Sequence, residues 1–421
     1  MVVFFILACT AVLYVTAKAP TYNWEAQMLS VMSQATALFG TVLLSLTFVL
    51  AGRFRWLEKV FGGLDIVYKL HHTFGAVSFI LLLHHPLLLI VRSLPNIKLA
   101  MSFILPLSNI ANLFGTLSLA CLTALLVLTL FIKLPYHLWK ATHEWLGVSL
   151  LFAALHVYLV NSDVVYSLPL RVWMLGWIAV GLLAFAYKRF LYAAFAHHVA
   201  YTLQSMQSHG DILILTLTTT QKPLQFECGQ FVFVQWDDAK IGSESHPFSI
   251  ASKPGDAQLV LWCKNLGDYT ARLAQLPVGA RGIAHGPHGT FFETMSRAQE
   301  IIGVAGGIGI TPFLSVSGID WQSQSKKMVL FHSMREPTEF PLETITNAFT
   351  TPTLGCTYIP HITSQQGRLS AQQILSKTAD KKSARFFLCG PAAMMESLRT
   401  QLLDNGIRPS QIIFEDFALN S

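Results

Sequence analysis

The sequence predicts a multidomain membrane protein: a six-helix transmembrane bundle, then an antiparallel β-barrel domain, then an α/β domain of mostly parallel strands. Three observations carry this. The composition is skewed, with 52% of 421 residues hydrophobic and 12% charged, where a soluble protein has about 25% charged residues. Nearly all the long apolar runs fall before residue 190, so the skew belongs to one half of the chain. The other half changes texture once more: residues 198–285 hold short β-rich runs, and from residue 299 apolar strands alternate with helical stretches. The expected domains are 1–192, 193–297 and 298–421.

Six apolar segments fit the first domain: 2–17, 28–51, 69–92, 110–132, 142–160 and 170–187. A span needs about 20 residues. Residues 1–17 lack a basic leader and are followed by more spans, so they read as a short first span rather than a signal peptide. With the N-terminus in the cytoplasm, the inner loops hold Arg53, Arg55, Lys59, Lys69, Lys133, Lys140, Lys188 and Arg189. The outer side then holds Lys18, Arg92, Lys98 and Arg171. This asymmetry follows the positive-inside rule and leaves the globular half cytoplasmic, under an inner (plasma) membrane. It also accounts for the net charge of +6 without nucleic-acid binding. The six cysteines form no C-x-x-C pair, which argues against zinc, an iron–sulfur cluster or a disulfide framework.

Ionisable groups within a bilayer are usually functional. The third segment carries His71, His72, His84 and His85; the fifth carries His143 and His156. His71 and His85 are fourteen residues apart, and His143 and His156 thirteen. Both spacings are close to whole helical turns, so each pair shares a helix face and spans roughly 20 Å. The two segments run in the same direction. His71 therefore meets His143 near the inner face, and His85 meets His156 near the outer face. Each meeting point offers two imidazoles, the axial set of a six-coordinate b-type haem. His72 and His84 are adjacent alternatives. Gly75 and Gly147 are small residues near the pairs that either leave room for a porphyrin edge or serve helix packing.

Residues 199–204, 211–219, 231–236, 246–251 and 258–263 read as barrel strands; 301–305, 328–332, 385–389 and 411–414 read as strands of the α/β sheet. Lys264-Asn265-Leu266-Gly267-Asp268-Tyr269-Thr270 places a cation, a glycine and a hydroxyl at a helix start, a setting that receives phosphate. Gly303-Val304-Ala305-Gly306-Gly307-Ile308-Gly309-Ile310-Thr311-Pro312 joins a strand to a helix through glycines that admit a pyrophosphate. It is not a Walker loop, since no Gly-Lys-Ser/Thr follows. Phe386-Phe387-Leu388-Cys389-Gly390-Pro391 is a second strand ending in a tight turn.

Taken in order, these motifs make the globular half resemble the ferredoxin–NADP reductase superfamily. The whole chain after the first span resembles the ferric reductase and NADPH oxidase family in its short bacterial form. The resemblance implies FAD, two b-type haems and NADPH (or NADH). It implies that His246, Pro247, Phe248 and Ser249 form the flavin motif, with Phe248 beside the isoalloxazine and Ser249 near its reactive nitrogen. Lys264 stands where the family often has arginine and would face the FAD phosphates; Gly267 and Thr270 would hold the pyrophosphate. Gly306, Gly307, Gly309, Thr311 and Pro312 match the dinucleotide loop. Cys389, Gly390 and Pro391 match the turn beside the nicotinamide. Glu415 and Phe417 match a C-terminal segment whose aromatic ring covers the flavin, and Ser249, Cys389 and Phe417 are the residues expected at the reacting rings. Arg335 would pair with a 2′-phosphate and favour NADPH, although NADH-using members also carry an arginine there.

The sequence also departs from the family. Animal oxidases add a histidine one turn past the outer ligand, where this chain has Leu89. They also place an arginine in the second span near the outer haem, where this chain has only Arg53 and Arg55 at the inner end. The expected activity is electron transfer from cytoplasmic NAD(P)H across the lipid bilayer to O2, giving superoxide. The alternative acceptor is a ferric chelate, and the rival class is a transporter with a nucleotide-sensing domain.

Overall fold

The computed structural model describes residues 2–18, 22–25, 27–94, 96–106, 109–238, 240–242, 244–293, 295, 298–350 and 355–415. The chain forms two compact units, one of residues 1–57 and 66–195, the other of 58–65 and 196–421.

The first unit is helical. Its helices are α1 (Val2–Thr16), α2 (Met28–Ala51), α3 (Arg55–Phe61, whose end belongs to the second unit), α4 (Leu64–Ser93), α5 (Ile97–Ile104), α6 (Ile110–Leu130), α7 (Tyr136–Glu144), α8 (Leu146–Leu159), α9 (Asp163–Tyr166) and α10 (Leu168–Ala186). Among the described residues, four helical stretches are long and apolar enough to cross a membrane: Met28–Ala51, Leu64–Ser93, Ile110–Leu130 and Leu168–Leu191. The first expected span, α1, has 15 residues. The fifth is broken: the Trp145 amide bonds Thr142 O at 3.2 Å and the Val148 amide bonds Trp145 O at 2.9 Å. These i→i+3 bonds tighten the turn and separate α7 from α8, which has 14 residues.

Long aliphatic side chains fill the bundle core: Leu38, Val42, Leu150, Leu170, Met174 and Ile178 are buried. Small polar residues let α6 and α8 approach. Ser118 Oγ donates to Ser149 O at 2.8 Å, and Ser149 Oγ donates to Ser118 O at 2.9 Å. Pro86 lies inside α4 directly after His85 and removes one rung of that helix's ladder.

The second unit holds two sheets. The first has six antiparallel strands, β1 (His198–His209), β2 (Ile212–Thr218), β3 (Phe231–Trp236), β4 (Ser245–Ser249), β5 (Leu259–Lys264) and β6 (Arg281–His288), in the order β4-β3-β6-β1-β2-β5. Its edges approach through an antiparallel bridge between Ile250 and Leu261. Leu203, Leu215, Val232, Val234 and Leu261 line its inside.

The second sheet is parallel: β7 (Glu300–Gly306), β8 (Lys327–Met334), β9 (Cys356–Ile362), β10 (Ala384–Cys389) and β11 (Ile412–Glu415), in the order β11-β10-β7-β8-β9. β7 is buried along its whole length, as a central parallel strand must be. The strands expected from sequence all form; β6 and β9 are additional.

Candidate functional site

The bundle brings four histidines together as two pairs. The rings of His71 (α4) and His143 (end of α7) have centroids 6.0 Å apart; those of His85 (α4) and His156 (α8) are 6.4 Å apart. Three of the four are oriented by backbone carbonyls of neighbouring helices. His71 Nδ1 donates to Thr47 O at 2.9 Å, His85 Nδ1 to Ser33 O at 2.9 Å, and His156 Nδ1 to Ala111 O at 2.7 Å. Such a bond fixes the tautomer that leaves Nε2 unprotonated and able to ligate. His143 is held differently: Trp139 stacks on it at 5.3 Å with planes 12° apart, and the Trp139 indole donates to Thr129 O at 3.2 Å.

The adjacent alternatives are placed otherwise. His72 and His84 are exposed, and His84 Nδ1 bonds Ile80 O of its own helix at 2.7 Å. Of the small residues near the pairs, Gly147 sits against a neighbouring side chain, as the packing alternative has it. A Cβ on Gly147 would strike Phe185, and one on Gly75 would meet only Thr47, at 4.0 Å. It is Gly115 of α6 that admits a ligand candidate, since a Cβ there would lie 2.9 Å from the His156 ring.

Two imidazoles bound on opposite sides of one metal at about 2.0 Å each place their ring centres roughly 6 Å apart. Both pairs have this separation. Among the described residues no group of three or more His, Cys, Asp or Glu side chains forms a metal site. A bare metal ion held by protein alone needs more ligands than two. The pairs therefore fit a metal that brings its own equatorial ligands, as haem iron does.

In the second unit the flavin motif lies on β4. Ser249 is buried and pairs with Phe231 of β3; His246, Pro247 and Phe248 are half-buried. The His246 ring stacks on Tyr269 at 3.6 Å and its Nε2 bonds Glu244 at 2.9 Å. Burial lowers the His246 pKa and Glu244 opposes the shift. Lys264 is half-buried at the end of β5. Thr270 Oγ1 accepts from the amides of Leu266 at 2.9 Å and Gly267 at 3.0 Å, so its hydroxyl closes the local turn. The helix that follows, Asp268–Leu273, has six residues.

The glycine-rich turn follows β7 at the point where the strand order reverses, between β7 and β10. Ligands of open α/β sheets bind at the carboxyl ends of the strands at such a point. Gly307 has φ +55°, a left-handed conformation that favours glycine. A Cβ on Gly309 would lie 2.2 Å from Cys389 O, and one on Gly390 would lie 2.9 Å from Gly306 Cα. The two turns touch backbone to backbone, and only glycine permits it. Thr311 and Pro312 are buried in a four-residue helix, Thr311–Leu314. The helix expected after the turn forms but is this short, so its dipole is weak.

Cys389 is buried and Pro391 is exposed at the neighbouring turn. Glu415 stands in register beside Cys389, with burial pushing its carboxyl well above the usual range and Asp65 adding to the shift. Arg335 is exposed just past β8. Phe417 lies outside the described residues.

Sequence reasoning passed over His332. It is fully buried; Tyr358 OH bonds its Nδ1 at 2.9 Å, and its Nε2 donates to Gly307 O at 2.9 Å. It thereby supports the glycine turn from beneath. Its signal in the sequence is a histidine ending the expected strand 328–332, three residues before Arg335.

Comparisons with known proteins match three stretches of the chain. Residues 36–154 match the ferric reductase-like transmembrane component, 198–289 an FAD-binding domain and 304–400 an oxidoreductase NAD-binding domain. The respiratory burst oxidase homolog protein B of Solanum tuberosum is 25% identical over 205 residues, covering 42% of this chain and 23% of that protein. The homolog protein A of the same plant is 31% identical over 172 residues, covering 34% and 17%. The chain thus spans less than a quarter of the length of these relatives. A flavohemoglobin structure from Malassezia yamatoensis has the same fold class at 16% identity and TM-score 0.50, covering 94% of this chain and 97% of that one. A region like the ferric reductase transmembrane component thus precedes an FAD-binding domain and an oxidoreductase NAD-binding domain, an order consistent with the ferric reductase and NADPH oxidase family.

Proposed function

We propose that the protein moves electrons from cytoplasmic NAD(P)H across the membrane to an extracytoplasmic one-electron acceptor, with dioxygen as that acceptor and superoxide as product. FAD, when bound, turns a two-electron hydride into single electrons, and two b-type haems supply one-electron stations through the bilayer. His71 and His143 would hold the inner haem, and His85 and His156 the outer one. The observation that carries this reading is the pair of facing imidazoles at 6.0 and 6.4 Å, repeated along one helix. A nucleotide-sensing transporter gives no reason for that repetition.

The remaining residues bind and orient. Phe248, Ser249 and Lys264 would hold the flavin and its phosphates. The turn of Gly306, Gly307 and Gly309 would receive the pyrophosphate on its amides, with His332 keeping the turn in place. Cys389 and Gly390 would close against the nicotinamide. Arg335 favours NADPH through its 2′-phosphate.

The acceptor is tested by a paired assay. NADPH consumption is measured with dioxygen alone, then anaerobically with a ferric chelate. Superoxide dismutase-sensitive cytochrome c reduction is expected in the first arm. Turnover only in the second would reject the oxidase reading and leave a metal reductase.

A further inference from the structure

Three ionisable side chains are buried together in the second unit. Glu58 of α3, His288 of β6 and Glu415 of β11 are 4%, 4% and 8% exposed. His288 Nδ1 donates to Glu58 Oε1 at 2.6 Å, and the Gly289 amide donates to Glu58 Oε2 at 3.2 Å. Glu415 approaches the same glycine, since a Cβ on Gly289 would lie 3.3 Å from Glu415 Oε1. Two atoms of the cluster, His288 Nε2 and Glu415 Oε2, are buried without a hydrogen-bond partner among the described residues. Asp65 is the further charge acting on Glu415, and burial favours the protonated form of that carboxyl. The sheet ties the cluster to the flavin motif. Phe231 of β3 stands opposite His288 on one side and Ser249 on the other. Residues directly opposite across antiparallel strands share a face, and the Phe231 and His288 rings are 5.8 Å apart. Ser249, Phe231, His288 and Glu58 thus form a row that starts at the serine proposed to hold the flavin.

From this geometry, and resting on the electron-transfer reading above, we infer that His288 takes up the proton that the flavin site must release, and that Glu58 is its positioning residue. NAD(P)H gives up a hydride, which is one proton with two electrons. Haems accept electrons only. Each NAD(P)H oxidised therefore leaves NAD(P)+, two electrons and one proton. His288 accepts that proton at Nε2 and becomes an imidazolium, whose charge the Glu58 carboxylate offsets until water removes the proton. A buried acid–histidine pair is weak evidence of stability on its own, because desolvation opposes its attraction. A proton acceptor needs both halves: a free ring nitrogen, and a fixed negative charge that stabilises the cation.

The test uses the full-length protein in lipid vesicles, kept anaerobic and mixed rapidly with NADPH. Bleaching of the flavin band reads hydride transfer, which frees no proton. Growth of the reduced haem bands reads departure of the electrons, which does. His288→Gln and Glu58→Gln should bleach at the wild-type rate and grow haem bands about a hundredfold more slowly, the low end of what a positioned proton acceptor contributes. Imidazole added to His288→Ala should restore haem reduction. Time-resolved infrared spectra add a readout other than rate. In the wild type a histidine-cation band should rise and decay with the haem bands, and it should be missing from His288→Gln. Should the variants lose their flavin, the infrared record of the wild type decides, and no transient histidine cation there would overturn the inference.

Haem reduction at the wild-type rate in Glu58→Gln would overturn it too. The amide oxygen of that variant still accepts a hydrogen bond, so this outcome would make the pair a clamp on residues 58–65. Bleaching and haem reduction slowed by the same factor would likewise mean a structural role. Flavin and haem bands are recorded on every sample. A wild type that lacks haem, or whose flavin NADPH does not bleach, would reject the electron-transfer reading itself, whereas unmoved rates in loaded variants would reject only the proton role.

Discussion

His71 and His72 are neighbours in sequence, yet only His71 faces another helix's imidazole. The choice is made by α2, whose Thr47 and Ser33 carbonyls receive the Nδ1 protons of His71 and His85. Spacing made the pairing of α4 with the α7–α8 segment legible, because thirteen or fourteen residues return to one helix face. The choice between adjacent histidines was not legible, since it depends on backbone atoms far away in sequence. Gly115 escaped for the same reason: its only mark in the sequence is being small. The expected spectra follow. On the haem ligation proposed above, His85→Leu or His156→Leu should remove one of two b-type centres and about halve the reduced-minus-oxidised absorbance per protein, because a six-coordinate haem would lose an axial ligand. His72→Leu and His84→Leu should leave the absorbance at its wild-type level. Equal loss in all four variants would contradict the assignment.

At the level of elements, apolar runs marked the strands well where they were continuous, as in β7 and β10. β6 and β9 went unread because their sequences, Arg281–His288 and Cys356–Ile362, mix Gly, Pro, His and Thr with few apolar residues. Their neighbours supply the missing apolar contacts, which tertiary context alone provides. The helix expected after the glycine turn has four residues, and His332 on β8 bonds the turn at Gly307 O. Burial lowers the His332 pKa to about 4. The unfolded chain therefore takes up this proton first, near pH 6.5, and the folded chain only near pH 4. Stability of the second unit should be fully developed above pH 6.5 and fall by up to about 3 kcal/mol as the pH drops towards 4. Thermal melts of wild type and His332→Gln across that range check this. The wild-type slope should flatten in the variant, and an identical slope would remove His332 as its source.

For the whole molecule, the composition changes near residue 190, and the structure has one unit running to residue 195 and another resuming at 196. The composition did not reveal that residues 58–65, between two apolar helices, belong to the second unit. There Glu58 accepts from the Gly289 amide at 3.2 Å and pairs with His288 at 2.6 Å, with both side chains 5% exposed. Composition cannot show such a connection, because one buried carboxylate in a basic loop looks like any surface charge. On the proposed function, a nicotinamide-reducible flavin unit and a two-haem bundle would work as one electron carrier. Purified full-length protein, kept anaerobic and mixed with NADPH, tests it directly by absorption spectroscopy. Reduced b-type bands should grow in as the flavin band bleaches, with two haems per chain. A protein that binds no haem, or whose haem stays oxidised while NADPH reduces its flavin, would contradict the account.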